Sequence, residues 1–310
     1  MTSVTIRLHD HICTNAVSIL RVSQMNYPLT SCRAGSNPAR EFRLTTSGGS
    51  RVPRASFYQL EGERVKRYVW SLQYCQRKEV SDLGCGYGYG TDFLARNGAA
   101  RVIGVDNDSK AVEFAQSNYQ SSNLQFAKAD LANKSGYSNL GKFDACVSFE
   151  VLEHLIDPDT FLAGVASLLK PDGVMLLSTP NKLYTEQFYI SGKSTNIYHF
   201  KEYYPCELER LLSCHFDAFE FFVEYNQVKY EGMQRRAHQY QSLGILRRLI
   251  QYAPDGLKNL VLRFEGLPVV EDFAGKWEEF EITRVQSYKE VTKIFPVQIA
   301  VCRGPKIKLL

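Results

Sequence analysis

Several features are missing from this 310-residue chain, and each omission narrows the reading. The eight cysteines, Cys13, Cys32, Cys75, Cys85, Cys146, Cys206, Cys214 and Cys302, include no C-x-x-C pair. No secretory signal is recognised ahead of them, so the expectation is reduced thiols in an intracellular protein rather than a disulfide framework. No apolar run approaches the roughly 18 residues that span a bilayer, and stretches such as Gly173 to Leu177 have the length of core strands. A net charge of +4 falls short of the dense basic footprint that makes nucleic acid the default partner. No internal repeat is found. What is present is ordinary globular material, 44% hydrophobic and 23% charged, enough for burial to offset the chain entropy lost on folding. The length suits one large core with additions.

Residues 1–55 stand apart, with seven Arg, no Lys, only Asp10 and Glu41 as acids, and abundant Ser and Thr. The bias matches an organelle transit peptide or a poorly ordered tail, and the segment is set aside from the fold. The remainder divides into a core over 56–224, an insertion over 225–292 expected to act as a lid, a final core strand over 293–304 and a short tail over 305–310. Within the insertion one long helix is predicted near Glu231 to Tyr252. Its cations, Arg235, Arg236, Arg247, Arg248, Lys258 and Arg263, accompany Leu243, Leu246, Leu249 and Ile250. That pattern fits a packed helix with a solvated face, with peripheral contact to an anionic membrane as the alternative.

The core reads as an α/β fold. Val65, Tyr68, Val69 and Leu72, with Phe57 and Leu60, put one apolar face on a helix from Arg54 to Cys75. Strands then alternate with helices: Glu79 to Leu83, Thr91 to Asn97, Arg101 to Val105, Ser109 to Tyr119, Leu124 to Ala127. This is the rhythm of a parallel sheet covered on both faces. A fourth strand, Phe143 to Ser148, leads to a helix opened by Asp157 as cap and Pro158 in its first turn. Lys170-Pro171-Asp172-Gly173 stops it, and Val174 to Ser178 gives a fifth strand. A helix near Tyr204 to Ser213 and strands at Ala218 to Val223 and Val297 to Cys302 complete a doubly wound, mostly parallel, Rossmann-like sheet of seven strands.

The turn after the first strand, Asp82-Leu83-Gly84-Cys85-Gly86-Tyr87-Gly88-Tyr89-Gly90, lies where such folds hold nucleotides. It departs from the dinucleotide fingerprint, which needs glycine where Tyr89 stands. Asp82 also places a carboxylate where a pyrophosphate would be repelled and a cationic ligand attracted. The second strand ends in Val105-Asp106, positioned for the hydroxyls of an adenosine ribose. Asp108, beside Ser109, fits a helix cap better. Asp130, in Ala129-Asp130-Leu131 after the third strand, is placed to meet adenine or to serve its own turn.

Taken in order, Asp82-Leu83-Gly84-Cys85-Gly86, Gly104-Val105-Asp106, Ala129-Asp130-Leu131, Ser148 to His154 and Leu169 to Gly173 resemble the successive motifs of the class I S-adenosylmethionine-dependent methyltransferases. The likeness covers residues 78–181. It implies a cofactor site in which Asp82, Gly84 and Gly86 hold the methionyl end, Asp106 the ribose and Asp130 the adenine, the last with the backbone at Leu131. Cys85, Gly88 and Asn107 are further cofactor-binding residues, and Phe149 lines the cofactor and acceptor pocket. The implied product is S-adenosylhomocysteine.

Methyl transfer mainly requires orientation and exclusion of water, and a base only for some acceptors. The candidate base is His154, with Glu153 and His199 as catalytic companions. Glu150, Glu153 and His154 share one face if their turn is helical. The primary expectation is turnover without a metal; Glu150, Glu153, His154 and His199 are the ligands of an Mg²⁺ or Mn²⁺ alternative. Similar clusters occur in small-RNA 3′-terminal 2′-O-methyltransferases and, partly matched, in quinone-biosynthesis O-methyltransferases. The stretch from Thr179 to Tyr203 resembles bacterial methyltransferases of sugars, lipids and other small acceptors. Tyr184, Phe188, Tyr189, Tyr198 and Phe200 are its candidate aromatic wall. The expected reaction is O-methylation of a small-molecule, sugar or lipid-linked acceptor, ahead of N-methylation. Metal-assisted RNA 2′-O-methylation and a non-catalytic cofactor-binding regulator are the alternatives. A cytoplasmic location is expected, or an organelle if residues 1–55 are a transit peptide.

Overall fold

The computed structural model describes residues 54–188, 196, 198–225, 281–285 and 295–306. The predicted lid helix with its cations, and residues 1–53 of the predicted tail, lie outside them; residues 54 and 55 of that tail already belong to a helix. In chain order the elements are α1 (Arg54–Cys75), β1 (Glu79–Leu83), α2 (Tyr89–Arg96), β2 (Arg101–Asp106), α3 (Ser109–Asn118), β3 (Leu124–Lys128), β4 (Phe143–Phe149), α4 (Pro158–Leu168), β5 (Leu169–Pro180), α5 (Lys182–Phe188), α6 (Pro205–Ser213), β6 (Phe216–Tyr225), β7 (Glu281–Val285) and β8 (Val297–Pro305).

The strands form one sheet in the order β3-β2-β1-β4-β5-β8-β6-β7. β1 to β5 pair in parallel, while β8 runs antiparallel between β5 and β6. The sheet therefore has eight strands, not the seven expected. The extra one, β7, pairs antiparallel with β6 at the edge and comes from the stretch assigned to the helical insertion. Its five residues, half-exposed or exposed throughout, are too short and polar to announce a strand.

Alternation along the strands divides the core between the two faces of the sheet. Val80, Val102, Ala145, Val147, Leu176 and Val301 face one way, beneath Tyr68 and Leu72 of α1 and Leu94 of α2. Ile103, Cys146, Met175, Leu177 and Cys302 face the other, beneath Phe161, Leu162 and Val165 of α4 and Leu208 and Leu212 of α6. Both faces being covered, the central strands are buried at almost every position, which is why they read as unbroken apolar runs.

Local signals are met where they were read. Asp157 caps α4, its carboxylate accepting from the Thr160 N–H at 3.1 Å, with Pro158 in the first turn. Asp108 caps α3 by accepting from the Lys110 N–H. β5 is longer than expected because Leu169 pairs with Phe143 before a register shift, so the exposed Pro171 and Asp172 ride on a bulge. Lys170 anchors that bulge through Glu79 at 2.7 Å and Asp144 at 3.1 Å. All six described cysteines are unbridged, and no helix among the described residues is long and apolar enough to cross a membrane.

Candidate active site

The strand order reverses between β1 and β4, and the carboxyl ends of these two strands flank the crevice where doubly wound sheets take ligands. The turn after β1 forms one wall. Its Gly84 and Cys85 N–H groups both donate to the Val105 carbonyl, at 2.8 and 3.0 Å, strapping it to the end of β2. Gly84 has φ +80°, and a Cβ there would lie 2.3 Å from Val151 Cγ2, so glycine is required twice over. Gly86, at φ +54°, would direct a Cβ into open space. That leaves a cradle of bare backbone facing open space. Gly88 in the left-handed region opens α2.

Beneath the turn lies Asp82, buried and accepting from the Tyr68 hydroxyl at 3.1 Å and the Thr91 hydroxyl at 2.7 Å. Burial pushes its carboxyl up to about 7, against the two hydroxyl donors, which favour the anion. An acid so placed gains from a cation brought nearby. Asp106 accepts from the Gly86 N–H at 2.7 Å and the Asp108 N–H at 2.9 Å, fixing the height of the cradle relative to β2. Asn107 beside it is exposed. Asp130, also exposed, accepts from the Ala132 N–H and the Asn133 amide, so its carboxylate serves its own turn; Leu131 is core. Cys85 is buried, and Phe149 packs edge-on against Tyr68 with ring centroids 5.2 Å apart. The residues in this wall fit a nucleoside without phosphates: positive-φ glycines, an open cradle at Gly86, and carboxylates at the ends of β1 and β2.

The second wall follows β4. Leu152–His154 is a single 3-10 turn, and Glu150 precedes it at φ +58°, so Glu150 does not share a helical face with Glu153 and His154 as expected. Its carboxylate instead accepts from Arg67 at 2.7 Å and Ser178 at 2.8 Å. The remaining three candidates do converge: ligand-type atoms of Glu153, His154 and His199 all lie within 4.8 Å of one another, and the two imidazoles meet edge-on. Sequence gave no sign of this meeting across 45 positions. The link is backbone, because the Phe200 N–H donates to the Glu153 carbonyl at 2.8 Å.

Tautomers follow from the partners. His154 Nδ1 lies 3.0 Å from the Tyr198 carbonyl, an acceptor only, so Nδ1 carries the proton and Nε2 offers a lone pair. Burial lowers the His154 pKa, keeping the ring neutral at neutral pH. His199 Nδ1 lies 2.9 Å from Glu202, which likewise leaves its Nε2 available. Glu153 is fully buried, with one oxygen accepting from Thr179 at 3.0 Å and Oε1 without a hydrogen-bond partner. Burial, reinforced by Glu150, pushes its carboxyl well above the usual carboxylate range.

Of the expected aromatic wall, Tyr184 is buried, whereas Tyr198 and Phe200 are exposed beside the imidazoles. Phe188 as a side chain and Tyr189 lie outside the described residues. Three residues escaped the sequence reading: Arg67, buried on α1, and Thr91 and Thr179, which hold Asp82 and Glu153. Arg67 stands at the flank of the α1 apolar face, where a charged residue gives no local signal of burial.

Fold and crevice together define a doubly wound α/β protein whose crevice at the strand ends is acidic and glycine-lined. Residues 81–177 match a family model described as a methyltransferase domain. A probable S-adenosylmethionine-dependent methyltransferase of Mycolicibacterium smegmatis is 34% identical over 143 residues, covering 44% of this chain and 51% of that one. A mitochondrial ubiquinone biosynthesis O-methyltransferase of Dictyostelium discoideum is 34% identical over 123 residues, covering 36% and 38%. The matched part thus spans about half or less of these relatives. Magnesium protoporphyrin IX methyltransferase of Synechocystis with bound S-adenosylhomocysteine superposes with a TM-score of 0.41 at 22% identity, over 54% of this chain and 78% of that one. Over residues 81–177 the chain is thus similar to S-adenosylmethionine-dependent methyltransferases.

Proposed function

We propose that the protein transfers a methyl group from S-adenosylmethionine to an oxygen of a small-molecule, sugar or lipid-linked acceptor, with His154 as the general base. The observation that carries this reading is the fixed tautomer of His154, whose Nδ1 is tied to the Tyr198 carbonyl and whose Nε2 keeps its lone pair beside Glu153 and His199. When bound, the cofactor supplies a methyl group on a cationic sulfur. Asp82 and the positive-φ glycines hold its amino-acid end, and Asp106 its ribose. Phe149 and Val151 separate the cofactor wall from the acceptor wall. His154 Nε2 accepts the acceptor's proton, and His199, oriented by Glu202, faces the same space.

The test is to incubate labelled methyl donor with fractionated cell extracts and follow the label, using the wild type and His154→Gln in parallel. Label reaching an oxygen of a small acceptor only with the wild type supports the reading. Label on nitrogen or on RNA replaces the acceptor class, and RNA as the true substrate would also show strongly salt-dependent binding. Donor binding with no transfer in any fraction favours a non-catalytic regulator.

A second reading has its own observation. Glu153 Oε1 is buried without a hydrogen-bond partner within 4.8 Å of two imidazole nitrogens, a mixed oxygen and nitrogen set suited to a divalent cation such as Mg²⁺ or Mn²⁺. Glu150 is not part of it. Activity unchanged after exhaustive chelation rules this reading out.

A further inference from the structure

Arg67 and Tyr68 are consecutive on α1, yet they serve opposite walls of the crevice. Tyr68 reaches under the cofactor turn: its hydroxyl donates to Asp82, and a Cβ on Gly90 would meet its ring at 2.0 Å. Arg67, only 2% exposed, reaches the other wall. Its guanidinium donates to Glu150 at 2.7 Å and to the Ser178 hydroxyl at 3.1 Å, and pairs with Glu224 at 3.3 Å. One side chain thereby joins α1 to the carboxyl ends of β4, β5 and β6. Ser178 closes the arrangement by donating to Glu150 at 2.8 Å and accepting from the Glu150 N–H at 3.2 Å.

The residue so held is the one non-glycine at a positive φ within the crevice among the described residues. A left-handed backbone disfavours an L side chain unless other contacts compensate, and charge-assisted bonds from a buried guanidinium are strong enough to do so. The next residue, Val151, is the side chain that closes against Gly84 of the cofactor turn. A lever therefore runs from Arg67 through the backbone of Glu150 to Val151 and the turn.

We propose that Arg67 is a positioning residue that holds Glu150 in its left-handed conformation and thereby couples the acceptor wall to the cofactor turn. The proposal rests on the turn being the cofactor site. Tyr68 fixes the turn from below, and Arg67 fixes what presses on it from above. Because the two are adjacent on one helix, a shift of α1 moves both walls together.

The test uses the full chain and S-adenosylhomocysteine, titrated calorimetrically at a temperature well below unfolding, with circular dichroism confirming the fold of each variant. Arg67→Met should weaken binding about tenfold, the shift expected when a left-handed residue loses the contacts that hold it. Arg67→Lys keeps the charge but cannot reach three acceptors at once, so it should recover only part of that loss. Glu150→Gln alone should weaken binding by a smaller factor, and adding Arg67→Met to it should cost clearly less than in the wild type. A purely structural role would lower the unfolding temperature of each variant while leaving affinity unchanged and the two substitutions additive, and that result overturns the proposal. If Arg67→Met does not fold, Arg67→Lys and Glu150→Gln decide it: wild-type affinity in both is equally fatal. Failure of the wild type itself to bind S-adenosylhomocysteine would instead remove the methyltransferase reading.

Discussion

The two walls of the crevice are built by different means. The proposed cofactor wall, from Asp82 to Asp106, is held almost entirely by bonds between residues within about twenty-five positions of one another, with Tyr68 close behind. The proposed acceptor wall is held across the chain: Arg67 to Glu150, Thr179 to Glu153, and Tyr198 and His199 to His154. A wall made from neighbours is written as a motif. One made from distant partners is specified only by the fold that brings them together, and its chemistry changes when any distant strut is altered.

Four perturbations sharpen or break this contrast. The largest effect is expected at the acceptor wall, where His154→Gln should cut turnover by about 10² to 10⁴ while leaving S-adenosylhomocysteine affinity within a few fold, the ordinary yield of a general base. Because burial lowers the His154 pKa, the wild-type rate should be flat above neutrality and fall only as acid protonates the imidazole. Comparable losses in turnover and cofactor affinity would mean that the walls are not separable.

Next in size is Gly84→Ala. The new methyl would lie 2.3 Å from Val151 Cγ2 on a backbone at φ +80°, so strain and overpacking should together weaken cofactor binding on the order of 100-fold, and stability should fall with it. Gly86→Ala, whose methyl would meet no protein atom within 4 Å, should instead lower affinity with a far smaller loss of unfolding temperature. Calorimetry and thermal unfolding of the pair separate a glycine needed for packing from one needed for ligand.

The third concerns Asp82. Its carboxyl is raised from 3.8 to about 7, so between these values the native state holds a proton that the unfolded chain has released. Stability from this group is therefore greatest below pH 4 and declines as pH rises towards 7. Asp82→Asn should flatten that part of the urea-unfolding profile between pH 4 and 7. In the wild type, binding of the cationic donor near pH 7 should release protons, seen as a calorimetric heat that depends on the buffer's ionisation enthalpy.

The smallest effect tests the neighbouring acids. Asp108→Ala should cost about 1 kcal/mol of stability through loss of the α3 cap and leave cofactor affinity unchanged. Asp106→Ala should instead weaken cofactor binding, because its carboxylate holds the Gly86 N–H of the turn as well as the Asp108 N–H.

The order of the strands and helices from Glu79 to Ser178 was legible, with bounds within a residue or two up to the start of β5, which begins five residues earlier than expected, because each strand is a buried apolar run and each helix carries a cap or stop residue nearby. The assignments of Asp108 and Asp157 needed only the residues next to them. β7 was missed because an exposed edge strand of five residues carries no apolar pattern, and it was folded into a helical insertion. The shared face drawn for Glu150, Glu153 and His154 was wrong because a helical period was applied to a 3-10 turn preceded by a left-handed residue.

By itself the sequence determined the parallel α/β core, the acidic and glycine-rich turn, and which titratable side chains stand at the strand ends, since these depend on backbone preferences and burial patterns acting over short stretches. Only the tertiary structure decided that His199 faces His154, that Glu150 turns away to Arg67, and that Glu153 is buried with one oxygen lacking a hydrogen-bond partner. These are contacts between residues tens of positions apart. Their geometry and their proton affinities are set by the low-dielectric space that the packed sheet and helices enclose, and no local stretch of chain contains that space.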